Sequence, residues 1–305
     1  MSRPQSEKGM VLLLVVMVVA LLAALLTEFA FSSLVDLRLA ETFRDTSRAY
    51  YLGAGGVKVG QMLLQDDKNN YDAPDEMWAQ GIYGYPVADG TVSIQIEDLG
   101  GRIDLNRLYI PAQRGPDPVV MDRLERLFIE LGLDDPDGLL DALIDWLDED
   151  DQARQFGAES AYYLDRPRPY PAKNGPLDTL DELLLIKGFD TDILNQLRPN
   201  VTVHGGEKIN VNTASEEVLL ALAEEMDMDA VQTIVDARQD RPFTKVEEIK
   251  DLPGMGNIYG FFNSYLTVTS PTYHITARGD VGDGSRTVQA VVEKASGKIF
   301  YQRVN

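Results

Sequence analysis

Apolar residues follow three different patterns along this chain. The first is a solid run: Met10 to Leu26 holds seventeen apolar residues without interruption, behind the polar start Met1-Ser-Arg-Pro-Gln-Ser-Glu-Lys-Gly9, and nothing comparable recurs in the 305 residues. Carried through Thr27 and Glu28 to Phe29-Ala-Phe31, it covers 22 residues. That is about 33 Å of helix, enough to span a hydrocarbon core. Helical spacing continues among mixed charges through Leu37, Ala40, Phe43, Tyr50, Ala54, Val57 and Leu64. One helix over residues 10–66 is therefore expected, with about 10–31 in the membrane and the rest outside it. Gly53, Gly55, Gly56 and Gly60 would each cost an isolated helix about 1 kcal/mol, so the four together point to a sheet packed closely on that helix.

The second pattern is alternation. Thr91-Val-Ser-Ile-Gln-Ile-Glu97 has the period of a strand, and the period returns in Leu266-Thr-Val-Thr269, Tyr273–Arg278, Arg286–Glu293 and Lys298–Gln302, around a turn at Gly279–Gly284. Tyr71 to Tyr85 is rich in turn residues and is expected to be a connection. The third pattern is helical and fills the middle of the chain, where Gly101-Arg-Ile-Asp-Leu-Asn106 resembles Glu207-Lys-Ile-Asn-Val-Asn212. Pro176–Gly188 likewise aligns without a gap on Pro242–Gly254. The expected fold is α+β: a long N-terminal helix on an antiparallel sheet (67–101 and 266–305). An all-α insert, 102–265, interrupts the sheet and consists of two repeated units, 102–200 and 207–265. The first unit carries an extra stretch, Asp148 to Gly175.

Charge narrows the range of partners. A formal net charge of −21 disfavours nucleic acid and other polyanions, and favours cations and basic surfaces. The absence of cysteine excludes disulfides and thiolate metal sites.

The flanks of the apolar run refine its reading. A cleaved secretory signal ends in small residues after its apolar stretch; here the helical pattern continues past Leu22-Ala-Ala-Leu25, and the small residue, Gly9, comes first. Basic residue, glycine and apolar helix in that order resemble type IV prepilins. The resemblance implies residues 1–9 as a cytoplasmic leader cut by a prepilin peptidase after Gly9, with Met10 the first residue of the mature chain and a site of possible N-methylation. Arg3 and Lys8 would hold the leader on the cytoplasmic side. An uncleaved signal anchor is the alternative. Pilins of this kind usually carry Glu five residues after the cut, where Leu14 stands here. In a filament that Glu is thought to pair with the neighbouring subunit's terminal amine, so Leu14 implies a subunit that gives up the pairing.

One acidic stretch has the spacing of a metal loop. Counting Asp148 as position 1 places Asp150 at 3, Gln152 at 5, the Arg154 carbonyl at 7 and Glu159 at 12, with Asp151 in the same run, as in an EF-hand. Hard oxygen donors at that density favour calcium, and Asp178 or Asp181 could complete the shell. Ala153 stands where an EF-hand has glycine, and Pro167 and Pro169 exclude a long exiting helix, so an EF-like loop is the most that is expected. A solvated acidic helix end is the alternative.

Ile209-Asn-Val-Asn-Thr-Ala214 with Leu252-Pro-Gly-Met-Gly256 resembles helix-hairpin-helix DNA-binding modules. Its cations Lys245 and Lys250, however, are surrounded by Glu247, Glu248 and Asp251, whereas binding nucleic acid needs clustered positive charge. A helix cap and a packed turn account for the same residues. The two histidines, His204 and His274, lie in unrelated contexts, and no catalytic constellation stands out, so a non-enzymatic protein is expected.

The junction at Gly9, Leu14, Arg48-Ala-Tyr-Tyr-Leu52, Asp145-Trp-Leu-Asp-Glu-Asp-Asp151 and Ile209–Ala214 together resemble the general secretion pathway protein K family, across essentially the whole chain. The resemblance implies a type IV pilin-like fold with a large insert of SAM-like or helix-hairpin-helix-like units and calcium bound in that insert. It also implies a minor pseudopilin of the type II secretion system. Such a protein would sit as a single-pass chain in the bacterial inner membrane, with its C-terminal domain in the periplasm. There it would cap the pseudopilus with the I and J minor pseudopilins, start its assembly, contact other pseudopilins and meet secreted substrates. The competing reading is a membrane-anchored, competence-type DNA-binding protein.

Overall fold

The computed structural model describes residues 6–305; the start of the expected leader, including Arg3, lies outside the described residues. Helix α1 (Ser6–Asp66) is a single element of 61 residues, about 90 Å long, and its apolar first half is not buried against any of the described residues. Its second half lies on a five-stranded antiparallel sheet. The strands are β1 (Ile82–Val87), β2 (Gly90–Asp98), β3 (Thr272–Val281), β4 (Gly284–Glu293) and β5 (Ile299–Val304), and they neighbour one another in chain order.

Alternation puts Val92, Ile94 and Ile96 of β2, Tyr273, Ile275 and Ala277 of β3, and Val288, Ala290 and Val292 of β4 on the helix face, where they form one core with Val57 and Leu64. Glycine sets the close approach of helix to sheet. A Cβ on Gly56 would stand 2.9 Å from Ala277 Cβ, and one on Gly60 3.0 Å from Ile275 Cγ2. Gly53 faces Val288 in the same way, but Gly55 does not: it points away from the sheet, with nothing within 4 Å of an added Cβ. The expectation that all four glycines serve the sheet is corrected for this one.

Three other expectations change. Tyr71–Tyr85 is not only a connection, since it holds the short helix α2 (Met77–Gln80) and most of edge strand β1. The β3–β4 turn is shorter than expected, because strand pairing continues to Val281↔Gly284. Of Leu266–Thr269, only Leu266–Thr267 is strand, and it pairs in parallel with Ile209–Asn210 inside the insert rather than with the sheet.

The insert leaves from Asp98 and returns at Thr272, on two neighbouring strands. This end of the sheet is the one remote from the apolar span: Gly90, at the other end of β2, lies against Leu52, whereas Ile275, two residues from the exit, lies under Gly60. A buried polar knot fixes the root. Asn210 Nδ2 donates to the Asp72 carbonyl (3.0 Å), Asp98 Oδ2 (3.1 Å) and Ser270 Oγ (2.9 Å). The Ser270 amide donates to Asp72 Oδ2 at 2.7 Å.

Within the insert, helices α3 (Pro118–Glu130), α4 (Pro136–Leu147), α5 (Ser160–Leu164) and α6 (Thr191–Leu197) precede Ile209. Helices α7 (Glu216–Leu220), α8 (Met228–Asp240) and α9 (Met255–Phe262) follow it. All of them share one apolar core, separate from that of the sheet.

The repeat is visible bond by bond. Asn106 accepts from Leu177 N (2.7 Å) and donates to Leu177 O; Asn212 accepts from Phe243 N and donates to Phe243 O (both 2.9 Å). Each asparagine follows a two-residue strand paired in parallel with the close of its own unit, Ile103–Asp104 with Val201–Thr202 and Ile209–Asn210 with Leu266–Thr267. The units differ between α4 and Pro176, where 148–175 is inserted, while in the second unit α8 leads to Pro242 through Arg241 alone.

Candidate functional site

Helix α4 carries its leucines on one side and Asp141, Asp145 and Asp148 on another, at i, i+4 and i+7. The acidic side receives the extra stretch. The Arg154 amide donates to both Asp145 oxygens (3.1 and 3.3 Å), and the Phe156 amide to Asp141 Oδ2 (3.1 Å). The Arg154 guanidinium lies 3.7 Å from Asp141 and 4.0 Å from Asp145. Lys187 closes the loop from outside by donating to the carbonyls of Phe156 and Gly157. The stretch is thereby laid along α4, and Glu159 is brought to Asp145 and Asp148.

These three side chains are buried, and each offers a carboxylate oxygen within 4.8 Å of the others. Asp145 is satisfied by backbone donors. By contrast, Asp148 Oδ1 and both oxygens of Glu159 have no hydrogen-bond partner among the described residues. Burial, with Asp145 and Asp148 adding like charge, pushes the Glu159 carboxyl up to about 8; burial, then Asp150, pushes Asp148 up to about 6. Asn174 has a left-handed backbone (φ 49°) and donates from Nδ2 to the Asp150 carbonyl at 2.9 Å, which leaves its buried Oδ1 unpartnered. Trp146, Tyr163 and Tyr170 form an aromatic floor next to the cluster, with Trp146 and Tyr163 edge to face at 5.2 Å.

Of the residues proposed from spacing, Asp148 and Glu159 meet. Asp150, Asp151 and Gln152 are exposed on the same loop, where Asp150 Oδ1 accepts from the Gln152 amide at 2.8 Å. Asp178 is not drawn in; it is exposed and takes Lys173 at 2.8 Å. Asp145 was missed by the EF-hand count, which starts at Asp148, although its helical spacing to that residue is the signal that finds it. The Arg154 carbonyl, expected as a ligand, accepts from the Gly157 amide at 3.3 Å.

A second acidic group, Asp67, Asp72 and Glu76, closes the base of the insert's root. Lys294 Nζ lies 2.6 Å from Asp67 and 2.5 Å from Asp72, and Glu76 accepts from the Ala73 amide and Trp78 Nε1. Burial works against the lysine charge, but its hydrogen bonds to Asp67 and Asp72 outweigh it and raise its pKa.

The remaining sequence candidates are scattered. Gly9, Met10 and Leu14 lie in unbroken helix, with Leu14 exposed on its apolar surface. Ser215 caps α7 by accepting from the Val218 amide at 3.1 Å, and Glu248 beside Lys245 pairs with Arg241. His204 stacks on Phe300, whereas His274 stands in β3 with Glu97 and Arg102 nearby.

Comparison with known proteins places these features in a wider set. Two family models, both described as type II secretion system protein K, match residues 101–206 and 209–269, meeting where the two repeated units meet. The chain is 28% identical to a type II secretion system protein K of Pseudomonas aeruginosa over 97% of its own length and 91% of the relative's. It is 30% identical to one of Klebsiella pneumoniae over 76% and 74%. Its fold is similar to a chain in the crystal structure of the GspK-GspI-GspJ complex of enterotoxigenic Escherichia coli, with a TM-score of 0.73 at 20% identity, covering 87% of this chain and 99% of that one.

Proposed function

The chain belongs to the type II secretion system protein K family, and from that premise we propose that it is the minor pseudopilin that caps the pseudopilus tip with the I and J minor pseudopilins and initiates its assembly. The observation that carries this reading is the place of the insert. It rises from Asp98 and Thr272, at the end of the sheet farthest from the apolar span, and the knot of Asn210, Asp72 and Ser270 holds it there. A subunit stacked beyond this one would collide with the insert, and Leu14 offers no carboxylate to receive that subunit's terminal amine. The relative in the solved structure is in complex with GspI and GspJ, which supports the choice of partners. The apolar half of α1 would cross the inner membrane once and leave the folded part in the periplasm. A prepilin peptidase would cut after Gly9 before the helix joins the filament.

We read the cluster of Asp145, Asp148 and Glu159 as a structural calcium site. Three carboxylates with three unpartnered buried oxygens suit a hard divalent ion, and Asn174 Oδ1 is an unpartnered neutral oxygen on the same loop. The ion would supply the positive charge that the buried carboxylates lack. Arg154 covers Asp141 and Asp145 but makes no bond to Glu159.

Purification of the full-length chain from membranes that also contain the I and J proteins tests the assembly reading, with N-terminal sequencing of the same material. Recovery of both partners and a mature start at Met10 is expected. A chain that comes away alone would overturn the tip assignment.

A further inference from the structure

Helix α1 covers one face of the sheet, and the first unit of the insert leans over the other, where Arg303 Nη1 on β5 lies 3.4 Å from Asp181 Oδ2. A cleft of about 640 Å³ remains between that unit and the sheet, within the size range of ligand sites. Its floor is the free face of the sheet. Direct pairing lines up Gln95, Thr276, Gln289 and Arg303 in one rung across β2 to β5, and sets His274 and Tyr301 in the next. These side chains point away from α1, because their neighbours along the strands, such as Ile96, Ile275 and Ala290, pack against it. Arg102 and, from the first unit, Asp181, Asn195 and Arg198 form the walls.

The charge here runs against that of the chain. The protein as a whole carries −21, yet three arginines converge on this cleft. Arg102 takes Glu97 at 3.3 Å. Arg198 and Arg303 come from opposite sides and share a single carboxylate, that of Asp181, at 2.8 and 3.4 Å. Asp178 on the rim is already held by Lys173. One guanidinium charge is therefore left over, and Arg198 and Arg303 keep about half of their side-chain surface exposed. Burial holds the His274 imidazole below its ordinary pKa, and Arg102 and Arg198 lower it further against the opposing pull of Glu97.

We propose that this cleft binds a carboxylate-bearing stretch of about four extended residues of another protein, with the carboxylate held between Arg198 and Arg303. The proposal goes beyond the assembly reading above and does not depend on it. The planar fork of arginine matches a carboxylate with two parallel hydrogen bonds, and an incoming carboxylate supplies the charge that Asp181 alone does not. The amide side chains of Gln95, Gln289 and Asn195 each carry a donor and an acceptor, which suits the N–H and C=O of an extended backbone. Each rung spans three strand spacings, about 14 Å, the length of about four extended residues. The carboxylate can come from an acidic side chain or from a chain end.

Fluorescence anisotropy of short labelled peptides, titrated with the full-length chain in detergent, tests this. Three probes share a neutral backbone of glycine and serine: one with a glutamate side chain and an amidated end, one with a free carboxyl end and no acidic side chain, and one with neither. At least one acidic probe should bind about tenfold more tightly than the uncharged one, the worth of one charge-assisted hydrogen bond. The tighter of the two identifies the source of the carboxylate. Arg303→Ala should remove the preference, whereas Arg126→Ala, on α3 beside Asp122, should not. Asp181→Asn frees both arginines and should tighten binding, a gain that misfolding cannot imitate. Equal binding of all three probes, binding of none, a preference that survives Arg303→Ala or is lost with Arg126→Ala, no gain with Asp181→Asn, or displacement of the probe by an equal concentration of acetate would each overturn the proposal. The tip assignment would stand in every one of these cases.

Discussion

Asp67, Asp72 and Glu76 beside the root of the insert, and Asp145, Asp148 and Glu159 within it, are built from the same kinds of side chain, each group with carboxylate oxygens within 4.8 Å of one another. They are neutralised differently. The first group holds its own cation, with Lys294 between Asp67 and Asp72 and the Trp78 indole and Ala73 amide on Glu76. The second is left with three buried carboxylate oxygens unpartnered, and the Glu159 carboxyl is pushed to about 8 as a result. A buried carboxylate without a counter-charge costs several kcal/mol. The root is therefore supplied with its cation by the chain itself, whereas the cluster in the insert is left without one, which is the ground for the proposed calcium site.

The largest effect that would break this contrast is expected from the self-sufficient cluster. Lys294→Met strands the buried Asp72 carboxylate and the half-buried one of Asp67 and should destabilise the folded part by about 3 kcal/mol, read from denaturant unfolding, with added calcium giving little recovery. An equally large recovery by calcium would show that the two clusters are interchangeable.

Glu159→Gln should act in opposite directions under two conditions. With chelator it removes the cost of taking up a proton on burial of that carboxyl and stabilises by on the order of 1 kcal/mol near neutral pH; with calcium it loses the ion's contribution and falls below the unsubstituted chain. Destabilisation in both conditions would point instead to ordinary packing.

The pH dependence of the chelated protein is smaller but has a definite sign. Glu159 has a folded pKa of about 8 against 4.5, and Asp148 about 6 against 3.8, so both bind protons more tightly folded than unfolded. Their contribution is greatest at pH values below the ordinary carboxyl range and is lost as pH rises through about 6 and then about 8. Melting temperature with chelator should therefore decline between about pH 5 and pH 9, and calcium should flatten that slope. A chelated protein insensitive to pH over this range would contradict the burial of both groups. The smallest effect is expected from Asp178→Asn, which loosens only an exposed pair with Lys173 worth about 0–1 kcal/mol and should leave the calcium-dependent rise in melting temperature intact.

What the sequence made legible followed wherever a period was long enough to read. The apolar run, the alternation of Val92, Ile94 and Ile96, and the alignment of Pro176–Gly188 on Pro242–Gly254 each span several residues with one physical meaning. Strand β1 was hidden because Ile82-Tyr-Gly-Tyr-Pro-Val87 has almost no buried side and contains both glycine and proline, features tolerated only at an edge. Leu266–Thr269 was assigned to the sheet, and its pairing inside the insert could not be read because a two-residue pair carries no period. Gly55 was separable in principle: Gly53, Gly56 and Gly60 fall on one helix face and Gly55 does not, but its outward direction has meaning only once the sheet is in place.

At the acidic site, linear spacing found Asp148 and Glu159 because the loop joining them is short. The same count carried Asp150, Asp151 and Gln152, which face solvent, and left out Asp145, whose link to Asp148 is a turn of helix rather than a loop position. Asp178 is close to the loop in sequence but is claimed by Lys173. Asn174 gave no signal before its side chain was seen tied to Asp150.

The claim that the insert is completed by an ion is tested most directly by calorimetric titration of calcium into the chelator-stripped part that lies beyond the apolar span, in parallel with the Glu159→Gln form. Saturable binding by the unsubstituted protein is expected, with protons released near neutral pH as Glu159 ionises and the binding abolished in Glu159→Gln. Absence of binding, or the same isotherm from both proteins, would contradict it.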